Sequence, residues 1–191
     1  MVLNKNNPET IQIVSSLIKS GGVGVLPCDT IYGLCSLVGI GEKPLRFVKN
    51  RPDYKPFLLV CTMEQVRSIC RDGIPKDIES IWPAPLTVIL YSKSGIPTAM
   101  RVPDDPFLQK LLETIGSPLY STSVNTSGEP TLLNFSEIRQ RFECSVDFLV
   151  KGSETQGLVP STLIDATVYP YKVLRQGAFN VDELIKSQVR T

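Results

Sequence analysis

Histidine is absent from this sequence of 191 residues. This absence excludes sites that depend on an imidazole, such as a Ser-His-Asp triad, a His-paired thiolate or an H-E-x-x-H metal site. No run of 18 apolar residues occurs, and the first residues lack the apolar stretch of a signal peptide, so we expect a cytoplasmic protein with no membrane contact. The net charge of +1 gives no strong field to attract nucleic acid. Chemistry must therefore rest on lysine, arginine, hydroxyl, amide and carboxylate side chains.

Two common phosphate-binding motifs and any Cys-x-x-Cys pair are also missing. The five cysteines are odd in number and irregularly spaced, which argues against a disulfide framework or a cysteine zinc site and predicts buried free thiols. Neither G-x-G-x-x-G nor a Walker A sequence is present, so nucleotide binding by those two routes is disfavoured. We expect no metal site built from protein side chains.

Short apolar runs alternate with amphipathic segments along the chain. The runs predict buried strands at 23–27, 57–61, 86–91 and 119–124, with three late strands at 147–151, 161–167 and 171–177. Several helix signals, with Pro near a start or Gly past an end, predict helices near 8–20, 41–50, 63–71, 76–82, 106–115, 134–142 and 181–188. Interleaved elements with short connections indicate the α/β (or α+β) class. Without a repeat or linker, a single domain over 1–191 is expected.

A basic loop follows the predicted helix at 41–50. Five basic and two acidic residues lie between positions 42 and 55, a local balance of +3, and Pro52 and Pro56 restrict the loop. Arg51 could form a fork on phosphate oxygens while Lys49 and Lys55 act as point charges, so the loop suits a polyanion. The alternative is a solvated loop whose cations favour the helix dipole.

Two polar clusters follow predicted strands. A strand period of two places Ser121, Ser123 and Asn125 on one face, where they must meet a ligand, water or other polar groups, unless they form only a polar strand end with a turn. Asp29 and Thr30 follow the strand at 23–27, where α/β proteins bind ligands, although Asp29 could also cap a helix. Three single candidates are Arg101, which could hold a carboxylate, Ser161 at a strand start, and Arg175.

These segments together resemble the YrdC-like family of threonylcarbamoyl-AMP synthases in its short, single-domain form. The resemblance covers about residues 23–177 and rests on seven motifs in family order: P-x-D-T-x-Y-G-L (27–34), K-x-R-P-x-x-K-P (49–56), W-P-x-P-L-T (82–87), R-V-P (101–103), S-T-S-x-N-x-S-G (121–128), P-S-T-x-I-D (160–165) and L-R-x-G (174–177). The sequence departs from the family at Cys28, where threonine is usual, at Ala84, where glycine is usual, and at Val60, where some relatives carry histidine.

The resemblance implies a twisted mixed β-sheet flanked by helices, with a deep, positively charged cavity. It implies an ATP site formed by Lys49, Arg51, Lys55, Ser123, Asn125, Thr131 and Arg175, with Lys49 and Arg51 as the catalytic pair. It implies a threonine site formed by Thr30, Arg101, Ser121 and Ser161, with Asp29 as an outer helper.

The implied reaction joins L-threonine, bicarbonate or CO2, and ATP into threonylcarbamoyl-AMP and diphosphate, for threonylcarbamoyladenosine modification of transfer RNAs. It needs no histidine, because the substrate supplies the nucleophile and the protein supplies position and charge. Mg²⁺ is expected on the phosphates, held mainly by ATP and water. Expected partners are a downstream threonylcarbamoyl transferase complex and, weakly, transfer RNA. The alternatives are an RNA-binding module without turnover, and one module of a larger maturation protein linked to carbamoyl phosphate, against which the length of 191 residues argues.

Overall fold

The computed structural model describes residues 1–152 and 159–189, so residues 153–158, 190 and 191 of the expected domain lie outside it. The described residues form ten strands and seven helices. The strands are Val2–Asn4 (β1), Gly24–Leu26 (β2), Gly33–Leu37 (β3), Leu58–Val60 (β4), Leu86–Tyr91 (β5), Pro97–Arg101 (β6), Leu119–Ser123 (β7), Phe148–Lys151 (β8), Thr162–Asp165 (β9) and Lys172–Arg175 (β10). The helices are Thr10–Lys19 (α1), Glu42–Lys49 (α2), Met63–Ile69 (α3), Lys76–Ile81 (α4), Pro106–Ile115 (α5), Phe135–Phe142 (α6) and Asp182–Val189 (α7).

Side-chain caps begin three helices, α3, α5 and α6, and all seven predicted helices are confirmed to within a few residues. In α5 the Asp105 carboxylate accepts a hydrogen bond of 3.0 Å from the Leu108 amide, and Gly116 ends the helix with φ of +75°. A reciprocal capping box between Thr62 and Gln65 starts α3. Within the described part of the chain, no helix is long and apolar enough to cross a bilayer, and the cytoplasmic location stays a prediction.

The strands form one mixed sheet in the order β1-β8-β2-β3-β7-β4-β6-β5-β9-β10, which confirms the predicted α/β class. Four neighbouring pairs are parallel (β1–β8, β2–β8, β4–β6 and β5–β9), and the other five are antiparallel. Three strands, β1, β3 and β6, were not among the seven predicted from apolar runs. The edge strand β1 depends on pairing with β8 much later in the chain, and β3 begins at Gly33, the seventh residue of the P-x-D-T-x-Y-G-L motif.

The helices do not cover the sheet evenly. On the β8–β2–β3 side, α1 and α5 pack through Val14 and Leu111 on one face, and α6 packs through Ile138 on the other. On the β6–β5–β9 side, the alternate residues Val88, Met100 and Ile164 face a core shared with α3, α4 and α7. The residues next to these on the same strands project from the opposite face of the sheet. Five of them line a cavity: Thr87, Ile89, Ala99, Arg101 and Leu163.

Candidate active site

The cavity has a volume of about 440 Å³ and lies against this half of the sheet. Its walls come from the segment after β2, the loop after α2, and strands β3, β4, β7 and β10. Among its described lining residues four are cationic and none is a carboxylate; the cations are Arg51, Lys55, Arg101 and Arg175. Such a lining suits an anion, whereas the strength of its positive potential stays a prediction.

Lys49 joins the basic loop to the end of β7. Helix α2 stops at this residue because Asn50 adopts a left-handed conformation with φ of +50°, which asparagine tolerates. The Lys49 ammonium donates to the Ser123 carbonyl and to Asn125 Oδ1 at 2.5 Å each, and to Ser123 Oγ at 3.3 Å. Only 2% of Lys49 is exposed, and this burial, with the nearby charge of Arg51, lowers the pKa of its ammonium to about 7.

Asn125 holds this arrangement in place even though β7 ends two residues before it. Its Oδ1 accepts from Ser123 Oγ at 2.7 Å as well as from Lys49, and its amide nitrogen donates to the carbonyls of Thr126 and Glu129 at 3.0 and 2.7 Å. Every polar atom of the Asn125 side chain is therefore used, so the lysine is held by a rigid turn. A phosphate oxygen would have to replace one of the lysine's partners, of which Ser123 Oγ is the most distant.

Arg101 lines the cavity, and both terminal nitrogens of its guanidinium already have a partner. Its Nη2 forms an ion pair with the Asp29 carboxylate, and its Nη1 donates to Thr30 Oγ1 at 2.8 Å. Its Nε is buried and has no hydrogen-bond partner in the described chain. Asp29 and Thr30 each occupy one N–H of the terminal nitrogens and Nε is a further donor, so the expectation that Arg101 holds a carboxylate stays a prediction.

A hydroxyl chain at the other end of the cavity contains a residue that sequence reasoning missed. Thr87 and Ser161 share a hydrogen bond of 2.7 Å between their hydroxyl oxygens, and both are buried. Arg175 Nη2 donates to the Ser161 carbonyl at 2.8 Å, and burial lowers the pKa of its guanidinium. Thr87 is the last residue of the W-P-x-P-L-T motif and pairs with Arg101 in the sheet. Its place in that motif was the signal in the sequence that could have indicated a site residue.

Gly33 keeps the space in front of Ser121 open. A Cβ atom at this position would lie 2.8 Å from Ser121 Oγ, 3.4 Å from the Cys35 sulfur and 3.5 Å from the Cys28 sulfur. Burial raises the pKa of both thiols to about 12, so neither is a thiolate at neutral pH. This part of the cavity therefore offers a small neutral floor of the Ser121 hydroxyl and the Cys28 thiol, with the Cys35 thiol behind it.

Most of the residues assigned from the resemblance lie at this one cavity. Eight of them line it: Thr30, Arg51, Lys55, Arg101, Ser121, Ser123, Ser161 and Arg175. Lys49 and Asn125 reach it through Ser123. Thr131 lies in the connection between β7 and α6 and is not among the lining residues of the described chain. The ligands assigned to these residues stay predictions.

The mixed sheet and a cavity lined by cations and hydroxyls define an α/β protein with a pocket suited to an anionic ligand. Residues 16–177 match the model of the Sua5–YciO–YrdC family, which carries the description "Telomere recombination". This match covers most of the chain, and the chain belongs to that family.

Two relatives and two solved structures show how much of the chain is shared. The chain is 28% identical to the threonylcarbamoyl-AMP synthase of Pyrococcus abyssi over 92% of its own length, but it spans only 56% of that relative. It is 30% identical to the threonylcarbamoyl-AMP synthase of Neisseria gonorrhoeae, over 80% of this chain and 88% of the relative. A structure of P. abyssi Sua5 complexed with L-threonine superposes with a TM-score of 0.87 at 28% identity, over 97% of this chain and 60% of that one. The short YciO of E. coli superposes with a TM-score of 0.81 at 28% identity, over 95% and 97%.

Proposed function

We propose that this protein is a threonylcarbamoyl-AMP synthase, which joins L-threonine, bicarbonate or CO2, and ATP and releases diphosphate. One observation carries the proposal: the basic loop at 49–55 and the polar row at 121–125 meet at one cavity, which Arg101 and Arg175 also line. The names of the two synthase relatives support it, as does the complex of P. abyssi Sua5 with L-threonine.

The nucleotide is assigned to the end of the cavity where the basic loop lies. Arg51 and Lys55 line the cavity there, and Lys49 stands behind Ser123, so three cations can neutralise a triphosphate. Arg175 lines the same cavity from β10, beside Ser161, and is assigned to the polyphosphate from that side. Thr131 is kept in the proposed site only as a residue that a bound nucleotide could approach, because it does not line the cavity.

Threonine is assigned to the region between Thr30, Arg101, Ser121 and Ser161. The unpartnered Nε of Arg101 can donate one hydrogen bond to the substrate carboxylate, while Asp29 keeps the guanidinium in place. Ser121 and Ser161 offer hydroxyls to the amino acid. The buried thiol of Cys28, where the family usually has threonine, still forms a small neutral wall.

The proposed reaction has two steps at these positions. The threonine amine adds to the carbon of CO2, or of bicarbonate with loss of water, and gives an N-carboxylate. A carbamate oxygen of this species then attacks the α-phosphorus of ATP, a new P–O bond forms, and the bond to the β-phosphate oxygen breaks. Arg51, Lys55 and Arg175 stabilise the negative charge on the leaving diphosphate. No protein nucleophile is needed.

Magnesium fits this site as a partner of ATP. The cavity presents hydroxyls and cations, and the described residues include no cluster of three potential acidic or thiol ligands, so the phosphates and water would be its ligands. When bound, Mg²⁺ supplies charge neutralisation on the phosphate oxygens. The product is expected to pass to a threonylcarbamoyl transferase.

Diphosphate release tests the proposal. It should require ATP, threonine and bicarbonate together, and mass spectrometry should detect the adenylate. Arg51→Ala should lower kcat/KM by more than about tenfold, because a charge-assisted contact is worth roughly 1.5–3 kcal/mol. Arg139→Ala is the matched control, since Arg139 is an exposed arginine paired with Glu143 at 2.9 Å. Near-normal turnover in folded Arg51→Ala would contradict the assignment.

RNA binding is a second candidate, supported by one surface observation. Phe47 and Tyr54 are 89% and 79% exposed, and the Lys55 ammonium lies 5.8 Å from the centre of the Tyr54 ring. Exposed rings beside cations can stack with bases. An RNA-binding module would show salt-sensitive RNA affinity that Phe47→Ala weakens, with no diphosphate release under any substrate combination.

A further inference from the structure

Arg46 lies on α2, three residues before the proposed catalytic pair, and does not line the cavity. Its Nε and Nη2 both donate to Glu42 Oε1, at 3.1 and 2.8 Å. Its Nη1 donates to two loop carbonyls, those of Pro52 at 2.8 Å and Lys55 at 3.0 Å. One guanidinium thus connects the helix to both ends of the basic loop, which is more than a surface ion pair would require.

Arg51 shares one of these contacts, the Lys55 carbonyl, and lies over the same aromatic ring as Arg46. Its Nε donates to the same Lys55 carbonyl at 3.2 Å, and its Nη2 donates to the Pro56 carbonyl at 2.6 Å. The centres of the two guanidiniums lie at 5.0 Å (Arg46) and 4.9 Å (Arg51) from the centre of the Phe57 ring. The position of Arg51 therefore depends on a carbonyl and a ring that Arg46 also holds.

Two guanidiniums close to one carbonyl and one ring repel each other. The nearby acidic groups offset the positive charge of Arg46 more than that of Arg51. Glu42 is bonded to Arg46, and the Asp53 carboxylate lies 3.9 Å from the same residue. Burial, and then the charge of Arg46, lower the pKa of Arg51. The positive charge that the pair retains is therefore that of Arg51, the member that lines the cavity.

We propose that Arg46 is a positioning residue of the nucleotide site: by holding the Pro52 and Lys55 carbonyls and the Phe57 ring, it fixes the loop that directs Arg51 at the polyphosphate. The inference rests on the proposed function, because it assumes that ATP binds at this end of the cavity. A preset cation needs no reorganisation when the charged ligand arrives, which is the physical benefit of such an arrangement.

Calorimetric binding of ATP tests the role of Arg46 through a double-mutant cycle. The proteins are the wild type, Arg46→Lys, Arg51→Ala and the double variant, with Arg139→Lys as a control for a helical arginine in an ion pair. Lysine keeps the charge but cannot reach Glu42 and both carbonyls, so Arg46→Lys should weaken ATP binding by about tenfold. In the Arg51→Ala background the same change should have little further effect, and threonine affinity should not change in Arg46→Lys.

The outcomes separate the two proposals. Wild-type ATP affinity in Arg46→Lys, or effects of the two substitutions that simply add, would overturn the positioning role. If the wild-type protein itself fails to bind ATP, the proposed function fails, and the role of Arg46 fails with it. Phe57→Leu keeps apolar volume but removes the ring, and it should reproduce the selective loss of ATP affinity if Arg46→Lys does not fold.

Discussion

The burial and the lowered pKa of Lys49 predict that the affinity for ATP depends on pH. The ammonium is 2% exposed and its pKa is lowered to about 7, so the unliganded protein loses this proton near neutrality. A bound triphosphate favours the charged form, because an anion within a few ångströms stabilises the ammonium. Binding of ATP should therefore take up a proton at Lys49 when the pH is above 7.

The expected size follows from this titration. From about pH 7.5 to about pH 9.5 the Kd for ATP should rise by up to about 100-fold, since each pH unit above the pKa costs a factor of about ten. Lys49→Gln should bind more weakly at the lower pH but should lose the slope. The phosphates of ATP are fully ionised in this range, so the remaining slope in the variant reports other groups.

Calorimetry in two buffers that differ in ionisation enthalpy counts the protons directly. At about pH 8.5 the wild type should take up close to one proton per ATP bound, and Lys49→Gln should take up almost none. Equal slopes in the two proteins, or no proton uptake by the wild type, would refute the reasoning and place ATP away from Lys49.

Three further results are expected. Asp29→Asn should raise the KM for threonine more than it lowers kcat, because Arg101 loses its ion pair and swings out of position; a change in kcat alone in steady-state assays would argue against this. Gly33→Ala should lower threonine affinity by about tenfold or more while the fold persists, since the added methyl would lie 2.8 Å from Ser121 Oγ, and unchanged affinity in a calorimetric titration would contradict the proposed floor. Leu111→Ala should lower the free energy of unfolding by roughly 2–5 kcal/mol in urea denaturation without altering KM values, because Leu111 is fully buried between α5 and α1, away from the cavity.

The helices and central strands were predictable because their signals are local. Pro106 at the start of α5 and Gly116 after its end define that helix from the sequence alone. Strand β1, by contrast, has three residues and exists only through its pairing with β8, whose first paired residue is Leu149. A short sequence window contains no trace of such a partner.

The site was predictable in composition but not in its internal pairing. The motifs identified Lys49 and Asn125, and the structure bonds them across 76 residues of sequence. The sequence also indicated Arg101 and Asp29, but not that they would pair with each other, because that ion pair depends on how β6 packs beside the segment after β2. Thr87 was missed since a threonine in an apolar strand looks like an ordinary core residue until its hydroxyl partner is known.

The order of the strands along the sequence has a consequence for biosynthesis. Ser161 and Leu163 stand at one side of the cavity and Arg175 on the neighbouring strand β10, and all three emerge from the ribosome late. A nascent chain that has already paired β2, β3, β7 and β4 would hold the basic loop and the polar row but only part of the pocket. Prematurely terminated products should therefore lack the part of the cavity wall that Ser161, Leu163 and Arg175 form, however well their remaining portion folds.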